Sequence, residues 1–478
     1  MRIRRELLVG VGRGASVVAA VAVAAGILAA AVVAPLPEVE TDAPSVVVQP
    51  AESRQLRVCP GPLLELAEDS AEATTATSFG AAPVAIAADP ADALVEQAPV
   101  EAPDNPASAT DGGPISIAAE PGAVDAGLLA GAQSQSAEAT SISGFAAAAC
   151  TEPATESWLV AGATDVGRSG LVFIANPGAV ASTVDVRVIG EGGPIDAPAA
   201  IGVVLPPGTQ RVISLAGLAP NMRSTVVHVT STGGPVAAAL QHSVVLGLEP
   251  AGVELSGPAA TPATAQVIPG VVIVDRRGVA PQEDHAEGDD HPAVRLLAPE
   301  ADTVAAIELI GEDGEVEARI EAELVAGRTL DVPLGTVDPG SYTLLVTADA
   351  PVVAAARATV LGDGDDPIVA DLSWTTSTAP LLDGATVAVP PGPGAVLHIT
   401  NPGDGEATVS VEVDGAEREI GVPAGATASV DLSPDARVVL TGVEGLHATV
   451  SFSGDAELSS MPVSPPGPLD APVRVYPQ

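Results

Sequence analysis

The 478-residue sequence carries 61 acidic residues against 19 basic ones, a formal net charge of −42, and only 2% of its residues are aromatic. That balance argues against nucleic acid, whose phosphates require a cationic footprint. With so few rings the cores must be built from Val, Ala, Leu and Ile, which bury little area each at roughly 25 cal/mol per Å². Neighbouring units are therefore expected to lean on one another.

Taken in chain order, Arg2, Arg4, Arg5 and Arg13 lie in a basic tail at 1–14, the uncharged stretch Ala15 to Ala34 follows, and an acidic sequence runs from Glu38 onward. A helix rising 1.5 Å per residue over 15–34 covers the ~30 Å hydrocarbon core of a bilayer. Basic residues before it place 1–14 in the cytoplasm and the remainder outside. The alternative is a cleaved signal peptide with small residues at Val32-Val33-Ala34, a cut that Pro35 disfavours. Both readings export residues 35–478. Gly10, Gly12 and Gly14 imitate part of a dinucleotide-binding loop, but the strand and βαβ unit that such a loop needs are missing from the pattern.

Within a linker at 35–64, the run RQLRVCPGPLL reads as one short strand ending in a Pro-Gly turn. From 65 to 149 the composition shifts to Ala, Ser, Thr, Pro and acids with sparse large apolar residues. Such a segment is expected to be a disordered insertion, because it cannot offset the entropy of its own ordering. Cys59 and Cys150 bracket it and are the chain's two cysteines. In an exported protein they are expected to form one disulfide.

Beyond Cys150 apolar and polar residues alternate at period two, with Gly and Pro between the runs. Three copies of one pattern overlay at 150–262, 263–371 and 372–461. Ile174-Ala175-Asn176-Pro177-Gly178 corresponds to Leu297-Ala298-Pro299-Glu300 and Ile399-Thr400-Asn401-Pro402-Gly403. The turns Pro207-Gly208, Ala326-Gly327 and Ala424-Gly425 correspond likewise. The predicted fold is all-β, three tandem immunoglobulin-like β-sandwiches. Propeller blades fit less well, since the unit is long and three blades are few. The Pro-rich 462–478 reads as an extended tail.

Residues that carry chemistry are few. Asp284, His285, Asp289, Asp290 and His291 are candidate metal ligands, to be weighed against a solvated acidic loop, since the order of a calcium-binding loop is missing. The acidic run at 362–367 reads as a linker. His228, His398 and His447 alternate with Val, Leu and Ile and are expected to face solvent; His242 has a mixed setting. Trp158 and Trp374 each open a repeat and are expected to be core rather than sugar platforms. No catalytic residue and no cofactor is expected.

Trp158 with its following glycines, the Asn176-Pro177 and Pro207-Gly208 turns, the strands at Pro235 and Pro351, and Val58-Cys59-Pro60-Gly61-Pro62 together resemble an uncharacterised actinobacterial family of exported or membrane-anchored proteins with tandem β-sandwich repeats. The resemblance implies a role in the cell envelope. The middle repeat lacks Asn before Pro299, and Gln241, Arg357 and Ser451 differ at one shared position, which argues against a common ligand site there. The expected function is a non-catalytic, single-pass structural or interaction protein, with an envelope protein or glycan as partner, such as a membrane glycosyltransferase to which it is accessory. The alternatives are a secreted carbohydrate- or wall-binding module and a metal-dependent envelope enzyme.

Overall fold

The computed structural model describes residues 22–23, 46–48, 54–66, 76–125, 128–275, 291–362, 369–465 and 473–475. Of the expected membrane helix only Ala22 and Val23 fall within these, and both are helical. Among the described residues no helix is long and apolar enough to cross a membrane. The chain divides into two units, Met1–Pro50 with Ala471–Gln478, and Ala51–Asp470. In the smaller unit β1 (Val46–Val48) pairs antiparallel with the chain's last strand, Val473–Val475, so part of the expected extended tail is a strand.

The larger unit holds β2 (Gln55–Cys59), β3 (Leu64–Leu66), β4 (Ala76–Ser78), β5 (Val84–Ala88), β6 (Val95–Pro99), β7 (Ile115–Ala119), β8 (Leu129–Glu138) and β9 (Ser143–Ala149). Next come β10 (Glu156–Leu159), β11 (Arg168–Asn176), β12 (Ser182–Gly190), β13 (Gly193–Pro194), β14 (Val203–Leu205), β15 (Thr209–Ser214), β16 (Thr225–Thr232), β17 (Ala237–Leu246) and β18 (Glu249–Ser256). A third run comprises β19 (Ala263–Ile273), β20 (Ala293–Leu297), β21 (Thr303–Gly311), β22 (Val316–Leu324), β23 (Thr329–Pro333), β24 (Gly340–Leu361) and β25 (Val369–Thr376). The fourth comprises β26 (Gly384–Ala388), β27 (Val396–Thr400), β28 (Ala407–Val413), β29 (Ala416–Val422), β30 (Thr427–Asp431), β31 (Arg437–Thr441), β32 (His447–Ser453) and β33 (Leu458–Pro462), and the strand Val473–Val475 is β34.

The pairing shows one topology repeated. In the fourth run one sheet is ordered β26-β31-β28-β29 and the other β30-β27-β32-β33. The second run repeats it as β10-β16-β12-β13, with β14 beside β12, and β15-β11-β17-β18. The third does so through the long β24, whose first half pairs with β19 and β21 and whose second half pairs with β20 and β25. First-sixth-third-fourth and fifth-second-seventh-eighth is not the ABED/CFG order of an immunoglobulin constant domain.

The segment 76–149 corrects the expectation of disorder. Together with β2, its strands pair as β2-β7-β6 and β5-β8-β9, which is the same order with the fourth and fifth strands missing among the described residues. Four sandwiches therefore stand where three were expected. The composition argument counted large apolar residues, but this unit packs on alanine: Ala146, Ala147 and Ala148 are each at most 2% exposed. The neighbours supply the remaining surface, as Phe145 and Ala147 join the fourth sandwich's core and Ala146 and Ala148 pack with Leu171, Phe173 and Val253 of the second.

Contacts run first to second, second to third, third to fourth and fourth to first, so the sandwiches of the larger unit close into a ring. Each junction has polar staples. Gln241 exchanges two hydrogen bonds with the Leu64 main chain (2.9 and 2.7 Å) between the first and second sandwiches. Arg295 links the second and third, the Thr343, Thr400 and Thr427 hydroxyls link the third and fourth, and Arg437 bonds Asp89 and the Ala88 carbonyl to close the circle.

Ring contacts also explain why the histidines do not face solvent. His398, His447 and His242 are 1%, 7% and 1% exposed, and among the described histidines only His228 keeps partial exposure, because a sheet's outer face in one sandwich is covered by the next. The Asn-Pro-Gly motif is structural. The Asn176 side chain accepts the Gly178 N–H (3.0 Å) and donates to the Val180 and Leu205 carbonyls, and Asn401 does the same with Gly403, Gly405 and Val422. Asn176→Ala and Asn401→Ala are each expected to lower stability by about 1–2 kcal/mol through these unmet groups, as read by urea denaturation.

Candidate functional site at the centre of the ring

The eighth strand of each sandwich, β9, β18, β25 or β33, lies at the edge of its sheet, so one row of its main-chain donors has no ladder partner. The four edges face one another across the ring's axis. Unmet donors there would each cost about 1–3 kcal/mol. Asp371, fully buried, supplies the acceptor. Its Oδ2 accepts the N–H groups of Phe145 (2.8 Å) and Leu458 (3.0 Å), and its Oδ1 those of Val253 (3.1 Å) and Leu372 (2.9 Å). One carboxyl thus ties all four sandwiches.

The residues preceding these four donors are Gly144, Gly252, Asp371 and Glu457. Glycine is required at the first two. A Cβ would lie 2.4 Å from Asp371 Oδ1 at position 144 and 2.9 Å from it at 252, and both backbones have positive φ, 131° and 120°.

One layer along the axis, the buried Glu254 carboxylate accepts the Ser459 hydroxyl (2.8 Å) and the Leu255 (2.9 Å) and Trp374 (3.3 Å) N–H groups. Burial pushes its pKa up to about 8, against the pull of those hydrogen bonds. Burial likewise raises Asp371 well above the ordinary range, opposed by its four N–H donors. A folded-state pKa above the unfolded one means the folded chain binds more protons in between, so stability falls as pH rises through that window. For Glu254 this predicts a loss of roughly 2–3 kcal/mol between pH 6 and pH 9. Thermal melts of Glu254→Gln should show a flatter pH profile over that range than the parent.

At the far end of the eighth strands the axis opens into a cavity of about 210 Å³, lined by the segments that leave those strands, Cys150–Glu152, Gly257–Thr261, Ser377–Ala379 and Met461–Pro465, together with Arg57, Glu156, Trp158 and Ala385–Ala388. Cys59 and Cys150 form the expected disulfide, with Cα atoms 4.1 Å apart, and Cys150 lines this mouth. Arg57 pairs with Glu152 (3.3 Å), and burial lowers the Arg57 pKa more than Glu152 restores it. Trp158 is 5% exposed and stacks on His228 at 3.8 Å, while Glu156 holds the Trp158 Nε1–H (3.1 Å) and His228 Nε2 (2.9 Å). This is core packing, as expected for the tryptophan. Trp374 is core too, but it lies on β25, which closes the third sandwich rather than opening the fourth, and it carries the Arg295 guanidinium 4.4 Å above its ring.

The candidate metal ligands are not brought together among the described residues. Asp284, His285, Asp289 and Asp290 lie outside them, and His291 is buried at the entry to β20, its carbonyl accepting an Arg357 N–H at 3.4 Å. Among the described residues no cluster of three or more metal-ligating side chains occurs. Gln241, Arg357 and Ser451 have three different roles: Gln241 binds the Leu64 main chain, Arg357 approaches Trp374, and Ser451 bonds His398 Nε2 (2.8 Å). Asp371 and Glu254 carried no motif that could have flagged them in the sequence.

Residues 106–433 match the model of DUF5719, a family of unknown function. The chain belongs to that family. The match begins inside the first sandwich and ends inside the fourth, so DUF5719 takes in parts of all four units of the ring. Among curated proteins none matches this sequence. One solved structure, titled "Structural insight into host cell surface retention of a 1.5-MDa bacterial ice-binding adhesin", is 12% identical over 66% of this DUF5719 chain and 99% of its own, with a TM-score of 0.10.

Proposed function

We propose that this DUF5719 chain is a non-catalytic interaction protein of the cell envelope, anchored by the Ala15–Ala34 segment and presenting the four-sandwich ring outside the cytoplasm. The observation that carries the reading is the use made of the ring's central acids. Asp371 and Glu254 are fully buried and committed to holding strands, an arrangement suited to a rigid platform. The disulfide supports an oxidising compartment. The mouth, with its main-chain edges and small side chains, is a surface on which a partner can be held.

Proximity labelling from the C-terminal side of the chain in native cells, with mass spectrometry of the neighbours and of the chain's own N-terminus, tests it. Recovery of the Arg2–Arg13 peptide with one membrane enzyme as dominant neighbour is expected. Hydrolysis of an envelope polymer by the purified protein would sink the reading, and a mature N-terminus at Pro35 with wall glycan as neighbour would replace it by a released wall-binding module.

A further inference from the structure

In three sandwiches the segment leaving the eighth strand turns back and bonds the outer edge of that sandwich's own first strand. Thr151 and Val58 exchange two main-chain hydrogen bonds of 2.9 Å, the Ala259 N–H donates to the Trp158 carbonyl (2.8 Å), and the Thr378 N–H to the Val267 carbonyl (2.9 Å). Thr151, Ala259 and Thr378 occupy one position, six residues beyond the axial donors Phe145, Val253 and Leu372. Six beyond Leu458 is Ser464, and its counterpart on β26 is Thr386, which sits opposite Val439 as Trp158 sits opposite His228.

Thr386 and Ser464 form no such bridge among the described residues. The cavity at the mouth is lined by both, and the Thr386 Oγ1 is buried without a hydrogen-bond partner. At the next position Pro465 has no N–H, so the further bond that the second sandwich makes there, from the Ala260 N–H to the Ser377 carbonyl at 2.9 Å, has no counterpart either.

We infer that the outer edge of β26 is a docking site for an extended segment of a partner chain, which adds as a short strand at Thr386 and completes the fourth bridge. What fits there is shown by the three filled positions: Thr151, Ala259 and Thr378, the last two flanked by small residues or proline and Thr151 by Cys150 and Glu152. The ligand class is accordingly a peptide segment of small residues, Ala, Thr or Ser, held by main-chain bonds, the usual basis of strand addition. This deepens the interaction-protein reading by naming the site and the kind of partner.

The test uses the full chain and a labelled peptide of sequence Gly-Pro-Ala-Ala-Thr-Pro, which copies residues 257–262. Saturable binding is expected by fluorescence anisotropy, with slowed amide exchange confined to Ala385–Ala388. Methylating the nitrogen of the peptide's first alanine removes the bridging donor and should weaken binding about tenfold, the worth of one hydrogen bond. Thr386→Val keeps the main chain and should bind like the parent. Thr386→Pro should not bind, and amide exchange on the parent decides the matter if that variant fails to fold. No saturable binding up to millimolar peptide, equal affinity for the methylated peptide, or protection elsewhere would overturn the proposal. The non-catalytic reading would survive that failure, since it stands or falls on turnover and neighbours.

Discussion

Asp371→Asn is expected to destabilise the folded chain by roughly 3–5 kcal/mol, because an amide can accept with one oxygen where the carboxyl accepts with two. Whichever way the amide turns, its NH₂ faces two main-chain donors, either those of Phe145 and Leu458 or those of Val253 and Leu372. Urea denaturation at neutral pH reads the loss, and a change within 0.5 kcal/mol, about the noise of a surface substitution, would show that the axis does not depend on this carboxyl. Asp371→Gly gives a sharper version. It leaves a dry nest of four donors in the shape of a small anion, so added formate should recover part of the lost stability while added urea-neutral sugars should not. Because burial raises Asp371 above the ordinary carboxylate range, the parent's stability should also fall as pH rises from that range toward the folded value, in the same direction as the effect of Glu254.

Arg295→Met is the second large effect, expected at roughly 3–5 kcal/mol, the usual loss when one partner of a buried ion pair is removed. The 1%-exposed guanidinium meets Asp331 through Nε (2.7 Å) and Nη2 (2.8 Å) and donates to the Gly162, Thr225 and Arg223 carbonyls of the second sandwich. Removing it leaves those carbonyls and the Asp331 carboxylate without their main donor. Burial is the largest influence on the Asp331 pKa and works to raise it, but the charge and hydrogen bonds of Arg295, with the Arg357 charge and the Ser224 hydroxyl, together outweigh it and the net shift is downward. A depressed carboxylate contributes stability above its unfolded pKa and loses it as pH falls, so the cost of Arg295→Met should shrink in acid. Arg295→Met combined with Asp331→Leu should recover most of the loss at pH 7, since no unpaired charge remains. Equal melting temperatures for the single and double variants would show that packing on Trp374, not the ion pair, holds this junction.

The strands from Trp158 onward were legible because their alternation survives burial: Val184, Val186 and Val188 turn inward while Asp185 and Arg187 turn outward. The Asn-Pro-Gly turns and the Cys59–Cys150 disulfide were legible for a similar reason, since each is a local or pairwise constraint written in a rare residue. The first sandwich was not. Its core is alanine, and alanine pays in free energy only when a neighbour approaches closely enough to cover it, which the sequence of one unit does not state. The orientation of His398 failed for the same cause. Period two identifies which face a side chain is on, but not whether a second sandwich, here bringing Glu312 beside Ser429 and His398, lies against that face. The central site is a property of closure, and Asp371 becomes meaningful only when Gly144, Gly252 and Glu457 stand around it.

Those four residues bear on why the copies share one polypeptide. An assembly of four identical sandwich chains would place the same residue four times around the axis. Four glycines would leave the converging N–H groups without an acceptor, and four aspartates would crowd four carboxyls into space for one. A fused chain escapes this constraint because its copies are free to diverge: two keep glycine to clear the space, one contributes the acid, and the last, Glu457, turns aside to the Ser136 hydroxyl. The ring's near-symmetry is thus stabilised at a position where it is broken.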